Sequence, residues 1–403
     1  MTSLPHLLNQ TREQLLAMAA ERGLGLLPHL EHDEVVRALV EDMLGKGEAI
    51  TTDGTLDVLP EGFGFVRMLT HSFASTAVDA YVSPAQIKSL NLRTGHRIRG
   101  PVRAPRGTEN FFALVHVDHV QDKAADALGD VTIFEGRTAL VANKALPWCA
   151  ADSSDKALRA LNRLAPIRLG HRVLLHADDN WPRAAFLARI AAAQRQQSAD
   201  LNITVCLLDQ RPEDLAAARS ELAGHNCDVV GTAFAAGAER QVAVADMAVH
   251  RAMRQVEHGG DALLLLDSLT ALTRARSRAG APSGAWIQPG LDAQALLTAK
   301  RLFANAQRCA EGGSLTIIAT AVQGEAGTID DAIEREFAAA TNSDVVIVAT
   351  DEVGDEVLPF CPNATRTRPE DDPATPAERR ELATVRHELA DLPLAQRTFD
   401  RLL

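Results

Sequence analysis

Two phenylalanines that lie two residues apart, Phe63 and Phe65, are suited to binding an unpaired base. Side chains at positions i and i+2 of a strand point to the same face, so this pair would form a platform on which bases stack. Arg67 continues the spacing and would reach a phosphate or a base edge from that face. Asp79 and Tyr81 repeat the same spacing. The pattern predicts a site for single-stranded nucleic acid, although a Phe-x-Phe pair alone is also typical of a barrel core.

The local charge supports this prediction, whereas the net charge of -12 does not. The segment from Tyr81 to Gly107 contains six basic residues and no acidic one: Lys88, Arg93, Arg97, Arg99, Arg103 and Arg106. Six of the 16 aromatic residues fall between Phe63 and Phe112. Cations that follow the phosphates, next to rings that stack on bases, are what single-stranded nucleic acid requires.

The elements that position these residues change character along the chain. Residues 1–47 predict a helical subdomain, because Thr11 is a suitable N-cap before apolar residues at helical spacing. Residues 48–122 predict a small β-barrel of short strands separated by Gly and Pro, and residues 123–155 a connector. Residues 156–403 alternate apolar strands with Ala-rich helices, such as one predicted over Asp292–Ala310, which is typical of a parallel sheet covered on both faces. The strands expected there are Arg172–His176, Ile203–Asp209, Asp228–Thr232, Ala262–Asp267, Leu315–Thr320 and Asp344–Thr350.

Composition excludes several other classes of protein. With 46% hydrophobic and 23% charged residues the chain is globular, and no apolar run approaches the roughly 18 residues of a membrane span. The five cysteines have no CxxC spacing, and the histidines have no HxxxH or HExxH spacing. We therefore expect no disulfide framework, no metal site and no membrane association. A cytoplasmic location fits these features.

Two sets of segments carry a family resemblance. The first set is Leu59–Arg67, Tyr81–Ile87, Asn91–Gly95 and Glu109–Leu114; the second is Asp209–Asp214, Val256–Gly259, Leu265–Thr270 and Glu311–Thr320. In this order they resemble the bacterial transcription termination factor Rho family. The resemblance implies a helical subdomain, an OB or cold-shock-like barrel, and a C-terminal RecA-like domain of the P-loop type. It also implies a hexameric ring that pulls RNA through a central channel by ATP hydrolysis.

The resemblance also assigns residues to the RNA site. Glu109 and Phe111 stand where the family places a residue that contacts cytosine and an aromatic partner, which is Tyr in the family. Carboxylates such as Asp79 and Glu109 can accept from a cytosine amino group, which predicts a preference for pyrimidine-rich RNA. Arg103 and Arg106 complete the predicted RNA-binding set.

The nucleotide-binding loop that the resemblance implies has lost the residues that would bind a nucleotide. The strand at Val173–His176 is followed by Ala177–Ala184, which contains no glycine. Arg183 stands at the position of the lysine that contacts phosphate, and Ala184 at that of the hydroxyl that binds magnesium. Asp178 and Asp179 add negative charge where a polyphosphate would lie.

Other positions change in the same direction. Gln210 replaces the family's catalytic Glu, and Leu358 replaces its adenine-stacking Phe. Asp267 retains the Walker B carboxylate, and Arg366 lies in a segment that resembles the arginine finger. The two loops that line the channel in the family, Ser283–Ala285 and Gly324–Asp330, lack lysine. We therefore expect no catalytic residue, no bound metal and no cofactor.

Together these features predict a Rho-like paralogue that binds single-stranded, pyrimidine-rich RNA, has lost ATP hydrolysis and modulates Rho-dependent termination. Its expected partners are RNA, further copies in a homo-hexamer, a true Rho in a mixed ring, and RNA polymerase. Two alternatives remain open. One is an active ATP-dependent RNA translocase that would require ATP and Mg²⁺, with Arg183 in place of Lys. The other is a general module for single-stranded DNA or RNA.

Overall fold

The computed structural model describes residues 2–25, 29–222, 227–348 and 357–403, and these residues form two compact units. The first unit contains the residues up to Val131 together with Met247–His258. The second contains Thr132–Asp246 and Gly259–Leu403. The segment 123–155, predicted as a connector, therefore divides between the units. Within the second unit its Trp148 is fully buried and donates from the indole nitrogen to the carbonyl oxygen of Ala165 at 2.7 Å.

Helices fill the N-terminal part of the first unit. They are α1 (Leu4–Leu8), α2 (Arg12–Glu21) and α3 (His32–Gly45), and α4 (Pro84–Ser89) follows later. A capping box starts α2, because the Thr11 side chain accepts from the backbone amide of Gln14 and the Gln14 side chain accepts from that of Thr11. In α3 the apolar residues at helical spacing, such as Val36 and Val40, are fully buried in the core of this unit.

A sheet that closes into a five-stranded barrel forms the rest of the first unit. The strands of the unit are β1 (Thr2–Ser3), β2 (Ile50–Val58), β3 (Gly64–Arg67), β4 (Ala80–Val82), β5 (Arg97–Arg103), β6 (Phe112–Leu114), β7 (His119–Val120) and β8 (Lys123–Ala124). The order β2-β3-β4-β6-β5 closes because β5 also pairs with β2. Gly64 permits the β2–β3 approach, since a Cβ there would lie 2.6 Å from the carbonyl oxygen of Asp57.

A mainly parallel sheet forms the core of the second unit. The strands of this unit are β9 (Ala139–Leu140), β10 (Arg172–Ala177), β11 (Asn202–Gln210), β12 (Cys227–Ala233), β13 (Asp261–Asp267), β14 (Trp286–Gln288), β15 (Leu291–Asp292), β16 (Gln307–Cys309), β17 (Ser314–Val322), β18 (Ser343–Val346) and β19 (Arg366–Thr367). The order β12-β11-β13-β17-β10-β18 is parallel throughout, and β19 adds an antiparallel edge. The six parallel strands match the predicted ones, except that the last, predicted over Asp344–Thr350, ends at Val346, and residues 349–350 lie outside the described residues.

Helices precede, connect and follow these parallel strands. They are α5 (Lys156–Leu164), α6 (Arg183–Gln197), α7 (Pro212–Leu222), α8 (Ala238–Glu257), α9 (Leu269–Ala279), α10 (Ala293–Ala304), α11 (Ile329–Ala338) and α12 (Pro376–Ala390). The helix predicted over Asp292–Ala310 is shorter, because Gln307 pairs with Leu315 of the central strand β17. Among the described residues, no helix is long and apolar enough to cross a membrane.

Candidate nucleic-acid interface and nucleotide site

Four aromatic rings come together on the barrel of the first unit, and we call them the aromatic cluster: Phe63, Phe65, Tyr81 and Phe111. Phe65 lies at the centre, with its ring centroid 5.8 Å from that of Phe63, 6.1 Å from that of Tyr81 and 4.8 Å from that of Phe111. Phe65 is largely buried, whereas Phe111 is 36% exposed and Phe63 and Tyr81 are partly exposed. The sequence therefore identified rings that the fold brings together and leaves accessible to a base.

Arg67 and Asp79 form a buried ion pair next to this cluster. The Arg67 guanidinium lies 5.0 Å from the ring centroid of Phe65, and its Nη1 is 2.5 Å from Asp79 Oδ2. Asp79 is fully buried, accepts also from the backbone amide and hydroxyl of Thr76, and has its pKa raised by burial. This does not match the predicted contact of Asp79 with cytosine or of Arg67 with phosphate, because each is enclosed and bonded to the other. Their role here is to hold β3 next to β4.

Glu109 lies in the exposed loop between β5 and β6, beside Phe111. Its Oε2 accepts from Arg103 Nη1 at 2.6 Å and from the amide of Arg106 at 2.9 Å, and its Oε1 accepts from Arg103 Nη2 at 2.9 Å. The bond from Arg103, followed by that from the Arg106 amide, lowers the Glu109 pKa to about 2. A carboxylate accepts about four hydrogen bonds, so Glu109 retains acceptor capacity for an amino group of a base.

Half of the predicted basic residues are neutralised within the first unit. Arg93 pairs with Glu257 at 2.7 Å, Arg97 with Asp53 at 2.8 Å, and Arg103 with Glu109. The other three, Lys88, Arg99 and Arg106, are exposed. Sequence reasoning missed the pairing because Asp53 and Glu257 lie far from the basic segment along the chain. The charge available for phosphates is therefore smaller than the composition indicates.

In the second unit, the loop between β10 and α6 closes on its own arginine. Arg183 Nη1 donates to the carbonyl oxygens of Asp178 and Asp179, at 3.0 and 2.9 Å. The amide of Asn180 donates to Asp178 Oδ1, and that of Trp181 to the carbonyl oxygen of Asp178. These amides are thus engaged inside the loop, and its carbonyl oxygens converge on a cation.

Asp267, at the end of β13, is the second partner of Arg183. Its Oδ1 lies 3.1 Å from Arg183 Nε and accepts from the Thr320 hydroxyl at 2.6 Å, and its Oδ2 accepts from Gln210 Nε2 at 3.0 Å. The carboxylate is buried. The structure therefore brings together three positions that the resemblance assigned to the nucleotide site, Arg183, Gln210 and Asp267, and it adds Thr320, which no spacing signal connected with Asp267.

A cavity of about 880 Å³ opens next to this group. Asp179, Arg183, Ala184, Gln210 and Asp267 contribute to its wall. Leu358 and Arg366 do not line it: Leu358 is packed in the core, and Arg366 is exposed on β19.

The two predicted channel loops are held by acidic side chains of the second unit. The Ser283 amide and hydroxyl donate to Asp292 at 2.8 and 2.7 Å, and the next residues present Trp286, which is 51% exposed. In the other loop the Gly324 amide donates to Glu334 at 3.3 Å.

His176, at the end of β10, is a charged residue that sequence reasoning overlooked. Its Nδ1 lies 2.7 Å from Glu334 and its Nε2 3.0 Å from Asp344. Burial alone would lower its pKa, but the hydrogen bonds to Asp344 and Glu334 outweigh burial and raise the pKa to about 9. The sequence around His176 has the pattern of an apolar strand. That pattern does not indicate that the imidazolium lies between two carboxylates from distant parts of the chain.

Comparison with known proteins identifies the family. The family model of the Rho termination factor RNA-binding domain matches residues 52–126. The chain is 37% identical to the transcription termination factor Rho of Neisseria gonorrhoeae over 334 residues, which are 82% of this chain and 79% of that protein. The chain belongs to the Rho family. Rho of Escherichia coli is 36% identical over 346 residues, 85% of this chain and 82% of that protein.

Solved structures confirm the RecA-like fold. A prototypical ATPase from a bacterial type III secretion system matches with a TM-score of 0.53 and 19% identity, covering 72% of this chain and 78% of that one. The ATP synthase subunit NeqB matches with a TM-score of 0.52 and 12% identity, covering 65% and 66%. At these identities the likeness concerns the fold alone. The predicted combination of an OB-like barrel with a RecA-like domain is confirmed.

The residues at the Rho-family nucleotide site do not fit a magnesium nucleotide. Phosphate binding requires backbone amides that point at the anion, whereas here the amides of Asn180, Trp181 and Arg183 donate within the loop and Pro182 has none. Magnesium requires carboxylate oxygens that face the ligand, whereas Asp267 is already bonded to Arg183, Gln210 and Thr320. Among the described residues, no group of three or more His, Cys, Asp or Glu side chains is placed to hold a metal.

Proposed function

We propose that this chain is a Rho-family protein that binds single-stranded, pyrimidine-rich RNA without hydrolysing ATP, and that it modulates Rho-dependent termination in the cytoplasm. The observation that carries the proposal is a contrast between two sites. The aromatic cluster is assembled and partly exposed, whereas the nucleotide loop is closed around Arg183.

The RNA part of the proposal depends on the cluster and its acidic neighbour. Phe63, Tyr81 and Phe111 offer ring surface to bases, and each stacked base contributes about 1–3 kcal/mol. Glu109, held next to Phe111, has an acceptor oriented by Arg103 for an exocyclic amino group such as that of cytosine. This favours cytosine over bases that present only acceptors at that position.

The loss of hydrolysis depends on three positions. The Arg183 guanidinium already donates from Nε to Asp267 and from Nη1 to the carbonyl oxygens of Asp178 and Asp179. These N–H groups are therefore not available to a terminal phosphate. Ala184 has no hydroxyl for magnesium, and Gln210 is an amide that cannot take a proton from water. Gln210 also donates to Asp267.

A chain of this kind would act on termination by competition. It would hold pyrimidine-rich transcripts that a true Rho needs, or it would enter Rho rings as a subunit unable to turn over ATP. We propose a homo-hexamer or a mixed ring as its assembly, and RNA polymerase as a further contact.

The test combines three measurements on the full chain. Fluorescence anisotropy with C-rich RNA, A-rich RNA and C-rich DNA at fixed salt should show tightest binding to C-rich RNA. ATP turnover with poly(C) should stay at background, and addition of the chain to an active Rho should reduce its termination efficiency. RNA-stimulated turnover would contradict the proposed loss of hydrolysis, and equal affinity for DNA would favour a general single-strand binding module.

A further inference from the structure

We infer that Arg183 is a built-in counter-ion that takes the place of a bound cation beside Asp267. The second unit then reaches its folded arrangement without nucleotide or metal. The inference deepens the proposed function and rests on the proposed loss of ATP hydrolysis. It concerns why the RecA-like unit remains intact although its ligand site has changed.

A buried carboxylate at the end of a central parallel strand needs a positive partner. The Asp267 side chain is 2% exposed, and the Arg183 side chain, at 15%, supplies the positive charge within 3.1 Å of Oδ1. Burying an unpaired carboxylate would raise the free energy of the folded state. An ion pair offsets this cost only when further hydrogen bonds reach the remaining carboxylate lone pairs. Thr320 and Gln210 provide those bonds.

The loop is shaped around the guanidinium and not around an anion. Two carbonyl oxygens, those of Asp178 and Asp179, accept from Arg183 Nη1, and the Asp179 carboxylate lies 3.4 Å from Nη2. Carbonyl and carboxylate oxygens are the ligands that a cation prefers, and here they contact the Nε, Nη1 and Nη2 atoms of the guanidinium. Arg183 therefore receives from the loop and from Asp267 the oxygen environment that a metal would require.

Aromatic packing fixes the loop in this form. The Trp181 ring lies 5.0 Å from that of Phe186 on α6 and packs against the core of the unit. The Arg183 amide donates to the carbonyl oxygen of Trp181 at 2.7 Å, so the start of α6 is tied to the same indole residue. The counter-ion is thus held by packing that is independent of any ligand.

A double-mutant cycle tests the pairing. We expect R183M and D267N each to raise the unfolding equilibrium constant at least about 100-fold, because each leaves one buried partner unsatisfied. The double variant R183M/D267N should be much more stable than the sum of the two effects predicts. R189M is the matched control, since Arg189 lies on the same helix and its pair with Asp155 is half-exposed. We expect it to change the constant less than about 5-fold. Additive effects of R183M and D267N would overturn the inference.

The response of the melting temperature to divalent cations provides the second readout. An ion pair with a purely structural role would give no such response when Arg183 is replaced. Melting temperatures are compared in EDTA and in millimolar Mn²⁺, without nucleotide. We expect wild type and R183M/D267N to be unaffected, and R183M to rise by a few degrees as Mn²⁺ binds the vacated place. A rise in wild type, or no rise in R183M, would contradict the inference. These outcomes are separate from ATP turnover of the wild type, which tests the proposed function.

Discussion

Phe111 allows the sharpest test of the aromatic cluster, because it combines an exposed ring with a close contact to the central ring. Its ring lies 4.8 Å from that of Phe65 and is 36% exposed, so it can present a face to a base without being essential to the core. Loss of one stacked base costs about 1–3 kcal/mol, which is roughly a 5- to 150-fold rise in Kd. We therefore predict that Phe111→Ala weakens binding of a C-rich RNA by this factor, and that Phe111→Tyr retains affinity.

The assay is fluorescence anisotropy with a labelled C-rich RNA of about 12 nucleotides at fixed salt. Thermal unfolding should show a change of only a few degrees, because Phe111 lies outside the hydrophobic core cluster of the first unit. Phe234→Ala is the matched control: Phe234 is 60% exposed but lies in the second unit, so its loss should leave the Kd within about 2-fold. An unchanged Kd for Phe111→Ala, or equal losses for both variants, would refute the assignment of the cluster as the RNA site.

Three further predictions concern charge. Arg106→Gln should reduce the slope of log Kd against log salt by about 0.7 in titrations with C-rich RNA, because Arg106 is exposed, and an unchanged slope would exclude a phosphate contact. The pKa of His176 is raised to about 9, so its contribution to stability is full below its ordinary value of 6.5 and is lost as the pH rises through 9. Urea unfolding should then show wild type losing up to about 3 kcal/mol over that window and His176→Val losing none, and parallel pH profiles would contradict this. Asp79→Asn should cost about 3 kcal/mol in urea unfolding, because it breaks the buried pair with Arg67; a cost under about 0.5 kcal/mol would show that the pair is not needed.

The fold was predictable from the sequence where periodicity and spacing are local. The six parallel strands were identified because short, continuous apolar runs between helical patterns are typical of strands buried on both faces. The end of α10 was placed too late, because the pairing of Gln307 with Leu315 depends on a strand that the helical pattern does not report. The segment 123–155 contains the buried Trp148, whose indole donates to the carbonyl oxygen of Ala165. Composition alone does not predict that contact.

The candidate sites were predictable as residue types and less so as contacts. Phe63 and Phe65 were found by their spacing, and their ring centroids do lie 5.8 Å apart, although Phe63 precedes the first residue of β3. The burial of Asp79 was not, because it depends on Arg67 reaching across from a neighbouring strand. Likewise, the motif comparison placed Arg183 and Asp267 in one site, but no pattern in the sequence states that they bond to each other.

Isothermal titration calorimetry of the full chain with magnesium ATP, in the presence of saturating C-rich RNA, tests the central claim most directly. The claim is that the RNA site is assembled while the nucleotide site is closed by Arg183. We predict that RNA binds and that ATP produces no saturable heat up to millimolar concentration. Saturable ATP binding that disappears in the Asp267→Ala variant would contradict it.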